Sequence, residues 1–301
     1  MEKPSYLKLL KSGSLAEIKD FLLQKLQKCD ICPHNCLVDR TSGEKGKCNG
    51  GSLPKISGAF PHFGEEPPIT GKNGSGTIFF TGCNLRCVFC QNYDISHLEA
   101  GFEISIAELA DIMIKLQARG CHNINLVTPT HFLPQIVAAV EIAAEKGLHV
   151  PIVYNSSGYE KPETLKVVEG VIDIYMPDFK FFDSSLSERF TIAGNYPDFA
   201  KRAIREMYRQ VGPLKTDNHG IAYRGLLIRH LVMPGHVHDS RMIVKFLSET
   251  LPERTYLNIM CQYRPYYLAQ KFPEINRSPD YRECLEVATF AKRLGFFSED
   301  W

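Results

Sequence analysis

Three cysteines in one short loop are the residues of this chain best suited to chemistry. They are Cys83, Cys87 and Cys90, spaced C-x3-C-x2-C directly after an apolar run at residues 77–80. An iron–sulfur cluster normally takes four thiolates, so a [4Fe–4S] cluster held by three leaves one iron free for an external ligand. A zinc knuckle or a disulfide loop is the structural alternative, but zinc sites usually supply a fourth ligand close by, and no histidine directly follows the last cysteine. The spacing therefore predicts a cluster with an open iron.

A second group of cysteines lies in the N-terminal part of the chain. The four residues are Cys29, Cys32, Cys36 and Cys48, spaced C-x2-C-x3-C-x11-C. This polar segment has too few apolar residues to bury four unrelated thiols, so it predicts a four-coordinate metal site. Both tetrahedral zinc and a fully ligated [4Fe–4S] cluster that relays electrons or binds substrate fit four thiolates. Zinc is the smaller claim, because the segment is remote in sequence from the predicted strand ends and has little core of its own.

The loop of three cysteines resembles the motif of radical S-adenosylmethionine (SAM) enzymes. The continuation Gln91-Asn92-Tyr93-Asp94 is similar to the branch of pyruvate formate-lyase activating enzymes and their uncharacterised PflX-like relatives. The resemblance covers the chain from about Thr77 onward, together with a cysteine-rich lead-in. It implies that the three cysteines bind a [4Fe–4S] cluster, that the amino and carboxylate groups of SAM chelate its open iron, and that Phe89 contacts the cofactors. It also implies a flavodoxin- or ferredoxin-like electron donor.

Polar residues that follow two predicted strands are candidates for binding the cosubstrate. Asn155 and Ser156 end one strand with amide and hydroxyl groups that can hydrogen-bond a carboxylate or a ribose. Asp178 and Lys180 follow the next strand and resemble the Asp-Leu-Lys motif of the activating enzymes, which implies that they hold SAM. The alternative for this second pair is a surface ion pair.

Further candidates stand at the ends of two other strands. Thr128 and Thr130 occupy the position where the superfamily usually has a Gly-Gly-Glu motif that contacts the methionyl amino group, so their backbone carbonyls are expected to take that role. The neighbouring His131 is either a ligand contact or a structural hydrogen-bonding residue. His230 lies in a strand that turns at Pro-Gly, as in the activating enzymes, and is expected to reach the pocket.

Other reactive residue types have structural interpretations. Glu65 and Glu66 are adjacent in an extended stretch rich in Gly and Pro, where neighbouring side chains point to opposite sides. Residues 49–70 are therefore predicted to be a solvated linker rather than to hold a carboxylate pair. Cys261 is expected to face the mouth of the site, and Cys284 is predicted to be a free thiol in the core.

The elements that would position these residues alternate along the chain. The strand-like runs cover residues 77–80, 123–127, 151–155, 171–176, 226–233 and 256–260. Helical patterns lie between them, such as the one that Ser105 caps with Glu108 at the capping-box position. Six β/α units in series predict an α/β fold, a partial (β/α)6 TIM-like barrel that is open where two of eight units are missing. Ligands of such folds lie at the carboxyl ends of the strands.

The N-terminal part is predicted to be a small cysteine-rich appendage on this barrel. Residues 14–28 show the periodicity of an amphipathic helix, and the four cysteines and the linker follow it. The appendage and linker are expected to span residues 1–70, and the radical SAM core domain is expected to span residues 71–301.

Composition narrows the function classes. The chain has 301 residues, 44% of them hydrophobic, and a formal net charge of +1, which leaves no electrostatic footprint for nucleic acid. Because no apolar stretch has the length of a signal peptide or a membrane span, we expect a cytoplasmic protein with no membrane partner. In that compartment cysteines serve as metal ligands or buried thiols rather than as disulfides.

These observations predict an enzyme that cleaves SAM reductively at a [4Fe–4S] cluster. The product is a 5′-deoxyadenosyl radical, which takes a hydrogen from a substrate. The branch resemblance implies a glycine Cα–H in a partner protein. A different peptide or a small molecule is the alternative, and a non-catalytic iron–sulfur electron carrier or scaffold is a third interpretation.

Overall fold

An open barrel of parallel strands with helices outside it forms the frame of the molecule. The structure is a computed structural model, and it describes residues 3–296. The strands are β1 (Lys55–His62), β2 (Ser75–Phe80), β3 (Phe102–Glu103), β4 (Ile124–Val127), β5 (Ile152–Ser156), β6 (Ile174–Pro177), β7 (Lys215–Thr216), β8 (Ala222–Leu231) and β9 (Tyr256–Met260). Those that pair in parallel follow the order β2-β4-β5-β6-β8-β9. They are the six predicted strands, so the prediction of a partial (β/α)6 barrel is confirmed.

Helices precede, connect and follow the strands, and most of them pack on the outside of the barrel. They are α1 (Tyr6–Ser12), α2 (Ser14–Gln24), α3 (Pro67–Thr70), α4 (Tyr93–Ser96), α5 (Ile106–Ala118), α6 (Leu133–Glu145), α7 (Pro162–Val167), α8 (Ser184–Phe190), α9 (Tyr196–Val211), α10 (Val237–Thr250) and α11 (Tyr281–Arg293). The predicted capping box of Ser105 and Glu108 is present at the start of α5. The predicted N-terminal helix begins at Ser14 as expected but ends at Gln24, and α1 precedes it.

Short antiparallel strands that the sequence pattern did not predict extend the sheet. β1 pairs with β2, β3 pairs with β1, and β7 pairs with β8, all antiparallel. β1 lies within the predicted linker at residues 49–70, so that prediction is wrong. Its Gly58 and Pro61 suggested a loop, but β1 pairs on its outer side only at Lys55 and Ile56, and an exposed strand edge tolerates Gly and Pro.

Alternating side chains of the parallel strands build two separate cores. Tyr154 and Ile228 point outward and pack in the main core beneath the helices. Val153 and Leu227 point inward and form a smaller cluster inside the barrel. Ile69 of α3 completes that inner cluster, so this short helix closes the barrel at the amino ends of its strands.

The C-terminal helix is tied to the last strand by a disulfide. α11 packs on β9, which brings Cys261 and Cys284 to a Cα separation of 6.0 Å, and the two cysteines are bonded. Cys284 is buried as expected, but the prediction that it is a free thiol is wrong. Among residues 3–296, no helix is both long and apolar enough to span a bilayer.

Candidate functional site

The carboxyl ends of the parallel strands surround a cavity of about 290 Å³. Its size lies at the lower end of the range of small-molecule sites. The sequence-predicted residues that line it are Cys83, Cys87, Phe89, Cys90, Thr128, Asn155, Ser156, Asp178 and Lys180. The fold therefore brings together the loop of three cysteines and the polar ends of three other strands.

The loop of three cysteines is held firmly on one wall of this cavity. It leaves β2 through a left-handed turn at Gly82, where φ is +79°. Backbone hydrogen bonds then join it to the residues at and after the end of α8. The Val88 N–H donates to the Phe190 carbonyl at 2.9 Å, and the Ile192 N–H donates to the Leu85 carbonyl at 3.2 Å. These bonds position the thiols independently of any bound group.

The three thiols offer the donor set that an iron–sulfur cluster requires. All three are free thiols. The Leu85 N–H donates to the Cys83 sulfur at 3.3 Å, and the Ser96 hydroxyl donates to the Cys90 sulfur at 3.1 Å. Burial raises the pKa of Cys83 to about 11 and also raises the pKa of Cys87, and a metal would displace these protons. Three free thiols, two of which accept hydrogen bonds at sulfur, fit a [4Fe–4S] cluster.

A network of buried charges lines the cavity beside the thiols. Asp178 accepts hydrogen bonds from Lys180 Nζ at 2.6 Å and from Arg229 Nε at 2.8 Å. Arg229 also donates to Asn155 Oδ1 at 2.6 Å and to Glu65 Oε2 at 3.2 Å. Burial alone would raise the pKa of Asp178, but the two adjacent cations lower it, so the carboxylate is ionised. The alternative of a surface ion pair is wrong, because the Asp178 and Lys180 side chains are only 14% and 16% exposed.

The sequence-based candidate set did not contain Arg229 or the two adjacent glutamates. Arg229 lies in the apolar strand β8, two residues after Leu227, so its side chain points into the barrel as that of Leu227 does. A charged residue in an apolar strand could have identified Arg229 as a candidate from the sequence. Glu65 is only 9% exposed and pairs with Arg229. Glu66 is buried as well, and its Oε1 accepts from Asn258 Nδ2 at 2.9 Å. The prediction that both glutamates are solvated is therefore wrong, because the stretch that carries them folds into the barrel.

Two predicted cofactor-binding residues have partners inside the protein instead of lining the cavity. His230 Nδ1–H donates to the Phe179 carbonyl at 2.7 Å, and its Nε2 lies 2.8 Å from the Ser240 hydroxyl. Burial lowers the pKa of His230 to about 4, so its imidazole is neutral. The Thr130 hydroxyl donates to Glu160 at 2.7 Å. The geometry favours structural roles for both residues.

His131 links the N-terminal part of the chain to the barrel. Its Nε2–H donates to the Thr81 carbonyl at 2.7 Å, and its own carbonyl accepts from Arg40 Nη1 at 2.6 Å. Burial lowers its pKa to about 4. Of its two interpretations, the structure favours the structural one.

The four N-terminal cysteines, which we call the quartet, lie against the loop of three cysteines. His34 Nε2–H, within the quartet segment, donates to the carbonyl of Asn84 at 2.7 Å. The quartet is therefore remote from that loop in sequence but not in space. Among residues 3–296, no group of three or more His, Cys, Asp or Glu side chains is arranged to hold a single metal ion. The second metal centre stays a prediction.

Comparisons with known proteins identify relatives along most of the chain. Residues 77–247 match the sequence profile of the Radical SAM superfamily. The chain is 34% identical over 294 residues to the uncharacterized protein MJ0674 of Methanocaldococcus jannaschii, a match that covers 93% of this chain and 79% of that protein.

Two solved structures are similar to part of the chain, both with TM-scores below 0.5. Methylornithine synthase (PylB) has a TM-score of 0.47 at 15% identity, over 70% of this chain and 59% of that one. Native anSMEcpe with bound AdoMet has a TM-score of 0.48 at 10% identity, over 76% of this chain and 58% of that one. The match spans less than two thirds of the length of both solved chains.

Proposed function

The chain belongs to the Radical SAM superfamily, and from that premise we propose that it cleaves SAM at a [4Fe–4S] cluster bound by Cys83, Cys87 and Cys90. The radical that results abstracts a hydrogen from a substrate. Membership of the superfamily supports radical cleavage of SAM and an enzymatic role. The observation that carries the proposal is that one cavity is lined both by three free thiols and by the buried charges of the neighbouring strands. A mere electron carrier would need only the thiols.

The chain's own residues bind and orient the cosubstrate. When bound, the cluster and SAM supply a low-potential electron and a 5′-deoxyadenosyl radical. Lys180 presents an ammonium group close enough to Cys87 for their charges to interact, which suits a carboxylate held beside the thiols. Asp178 presents a carboxylate for hydroxyl or ammonium groups, and Asn155 and Ser156 add hydrogen-bonding groups on the next strand.

Aromatic side chains shield the reacting region from water. Phe89 packs against Phe181 and Tyr263 at ring distances of 6.0 and 5.7 Å, and Phe89 and Tyr263 line the cavity. A reactive carbon radical abstracts hydrogen from whatever lies beside it, so a dry wall limits side reactions. These rings therefore serve selectivity rather than bond cleavage.

For the hydrogen donor we propose a glycine Cα–H in a partner protein. The similarity of Asp178-Phe179-Lys180 and of Gln91-Asn92-Tyr93-Asp94 to the activating enzymes supports this choice. A flavodoxin- or ferredoxin-like protein would supply the electrons.

The experiment that tests this function measures 5′-deoxyadenosine. Anaerobically reconstituted protein is incubated with dithionite and SAM, and the product is quantified by chromatography. We expect formation by the wild type and by Cys121→Ser, which removes a buried thiol outside both cysteine groups, and none by Cys83→Ala, because that variant lacks one of the three cluster ligands. Formation by Cys83→Ala would contradict the assignment. Deuterium transferred from a glycine-deuterated candidate protein into 5′-deoxyadenosine would identify the hydrogen donor.

A further inference from the structure

We propose that the quartet holds a second iron–sulfur cluster, which passes electrons to the cluster of the neighbouring loop of three cysteines. The quartet consists of Cys29, Cys32, Cys36 and Cys48. This inference rests on the proposed function, because the electron needs the loop cluster as its destination. The sequence pattern favoured a structural zinc, because the quartet is remote in sequence from the strand ends. We assign the quartet a redox role instead.

The quartet segment contacts the residues on both sides of Cys83. On one side, His34 Nε2–H donates to the carbonyl of Asn84 at 2.7 Å. On the other side, the Cys48 carbonyl oxygen packs so closely against Gly82 that a Cβ on that glycine would collide with it. Cys48 is itself a quartet cysteine, and His34 lies two positions from Cys32. Their contacts are with the two residues that flank the loop cysteine between them in sequence. The paths between the two groups of sulfurs are therefore short and partly covalent.

A buried arginine fixes this interface. Arg40 is only 1% exposed and donates from Nη1 to the His131 carbonyl at 2.6 Å and from Nε to the Gly51 carbonyl at 3.1 Å. His131 in turn donates to the carbonyl of Thr81, at the start of the loop of three cysteines. Because a buried charge held by carbonyl groups resists displacement, the two cysteine groups keep a constant separation, as efficient electron transfer requires.

The surroundings of the quartet sulfurs suit a charged cluster. The four sulfurs lie close enough for their charges to interact. Two of them accept hydrogen bonds: Cys36 from the Lys47 N–H at 3.5 Å, and Cys29 from Arg40 Nη1 at 4.0 Å. Hydrogen bonds to sulfur set the reduction potential of such clusters, whereas zinc has no redox chemistry to tune.

The outer side of the quartet offers a surface for the donor. Cys29 and Cys36 are partly exposed, Leu37 beside them is 52% exposed, and Lys45 and Lys47 are exposed. A small apolar contact flanked by lysines fits an acidic one-electron donor, a reduced flavodoxin or ferredoxin. The donor loses one electron, the quartet cluster is reduced from the 2+ to the 1+ state, and it returns to 2+ as the loop cluster is reduced. No covalent bond or proton changes place.

Metal analysis gives the first test. The variant is Cys32→Ser. The control is Cys121→Ser, which removes a buried thiol that belongs to neither group of cysteines. After anaerobic reconstitution, the wild type and the control should hold about eight irons and no zinc per chain, and Cys32→Ser about four, the content of one [4Fe–4S] cluster. Electron paramagnetic resonance of the reduced wild type should show two interacting centres, and that of Cys32→Ser a single isolated one. One zinc and four irons in the wild type would overturn the proposal.

Comparing two reductants gives the second test. With reduced flavodoxin, 5′-deoxyadenosine formation by Cys32→Ser should fall about tenfold or more, whereas with dithionite, which reaches the loop cluster directly, it should change less than about twofold. His34→Phe keeps all four thiols and should keep about eight irons while slowing only the flavodoxin-driven reaction. The relay would be overturned if wild type and Cys32→Ser formed 5′-deoxyadenosine at equal rates with flavodoxin. It would also be overturned if Cys32→Ser and His34→Phe each lost the same share of activity with flavodoxin as with dithionite. A wild type inactive with both reductants would contradict the proposed function instead, and the iron content and resonance spectrum would still test the quartet.

Discussion

Single charged side chains hold the cosubstrate side of the site together. Arg229 divides its hydrogen bonds among Asp178, Asn155 and Glu65, and Lys180 completes the network. Buried charges are tolerated only when each has a partner, so these residues support one another. Lys180 differs from Arg229 because it has one protein partner among these four residues and stands beside the thiols, which makes it the cation freest to bind SAM.

At this scale we predict the effect of Lys180→Met on SAM binding. Loss of one hydrogen bond to a charged group costs about 1.5–3 kcal/mol, so the dissociation constant should rise roughly tenfold to a hundredfold. The iron content should not change, because the side chain is not a cluster ligand. Equilibrium binding to reconstituted protein measures the effect, and Lys146→Met, at an exposed ion pair with Asp111, is the control. Equal affinities in the two variants would assign the Asp178–Lys180 pair a purely structural role.

At the level of the secondary-structure elements, a buried glutamate joins the loops that follow two neighbouring strands. Glu160, after β5, accepts a hydrogen bond from Thr130, after β4, at 2.7 Å and another from the Tyr154 hydroxyl at 3.1 Å. Burial raises the pKa of Glu160 to about 7 from an ordinary value of 4.5. A raised carboxyl pKa stabilises the fold fully below about pH 4.5, and this contribution is lost as the pH rises to about 7.

Glu160→Gln should therefore have an effect that depends on pH. The neutral side chain avoids the cost of a buried charge, so the free energy of unfolding of the variant should improve relative to wild type by on the order of 3 kcal/mol between pH 5 and pH 8. Urea denaturation of both proteins at the two pH values measures this, with the exposed Glu163→Gln as matched control. A difference between variant and wild type that is the same at both pH values would exclude a buried ionisation at this position.

The barrel as a whole depends on a segment that precedes its first parallel strand. α3 places Ile69 inside the barrel, β1 extends the sheet beside β2, and Glu65 and Glu66 reach inward from the residues between them. The boundary predicted between residues 70 and 71 would separate all of these from the barrel. We propose instead that the barrel domain begins before β1, near residue 55.

Ile69→Ala should destabilise the whole molecule. Removal of a fully buried isoleucine side chain leaves a cavity and typically costs about 2–5 kcal/mol, because the surrounding strands relax only in part. Ile192→Ala, at a position 43% exposed, is the control and should cost much less. Urea denaturation of both variants provides the comparison. Similar losses would show that α3 lies on the barrel without stabilising it.

The sequence by itself determined the six parallel strands, the loop of three cysteines and the polar residues at the strand ends. Such features are local, because a run of apolar residues, a capping box or a cysteine spacing lies within about twenty residues and needs no distant partner. Even Asp178 and Lys180 could be placed in this way, since the carboxyl ends of parallel strands meet at one edge of the sheet.

Only the tertiary structure decided the partners of the charged residues and the position of the quartet. Glu65 and Arg229 are 164 residues apart in the chain, and His34 and Asn84 are 50 apart, yet each pair is hydrogen-bonded. A glutamate in a stretch rich in Gly and Pro has the same local pattern whether it is solvated or buried. Its state depends on whether a distant cation reaches it, and the closing of the barrel brings that cation within reach.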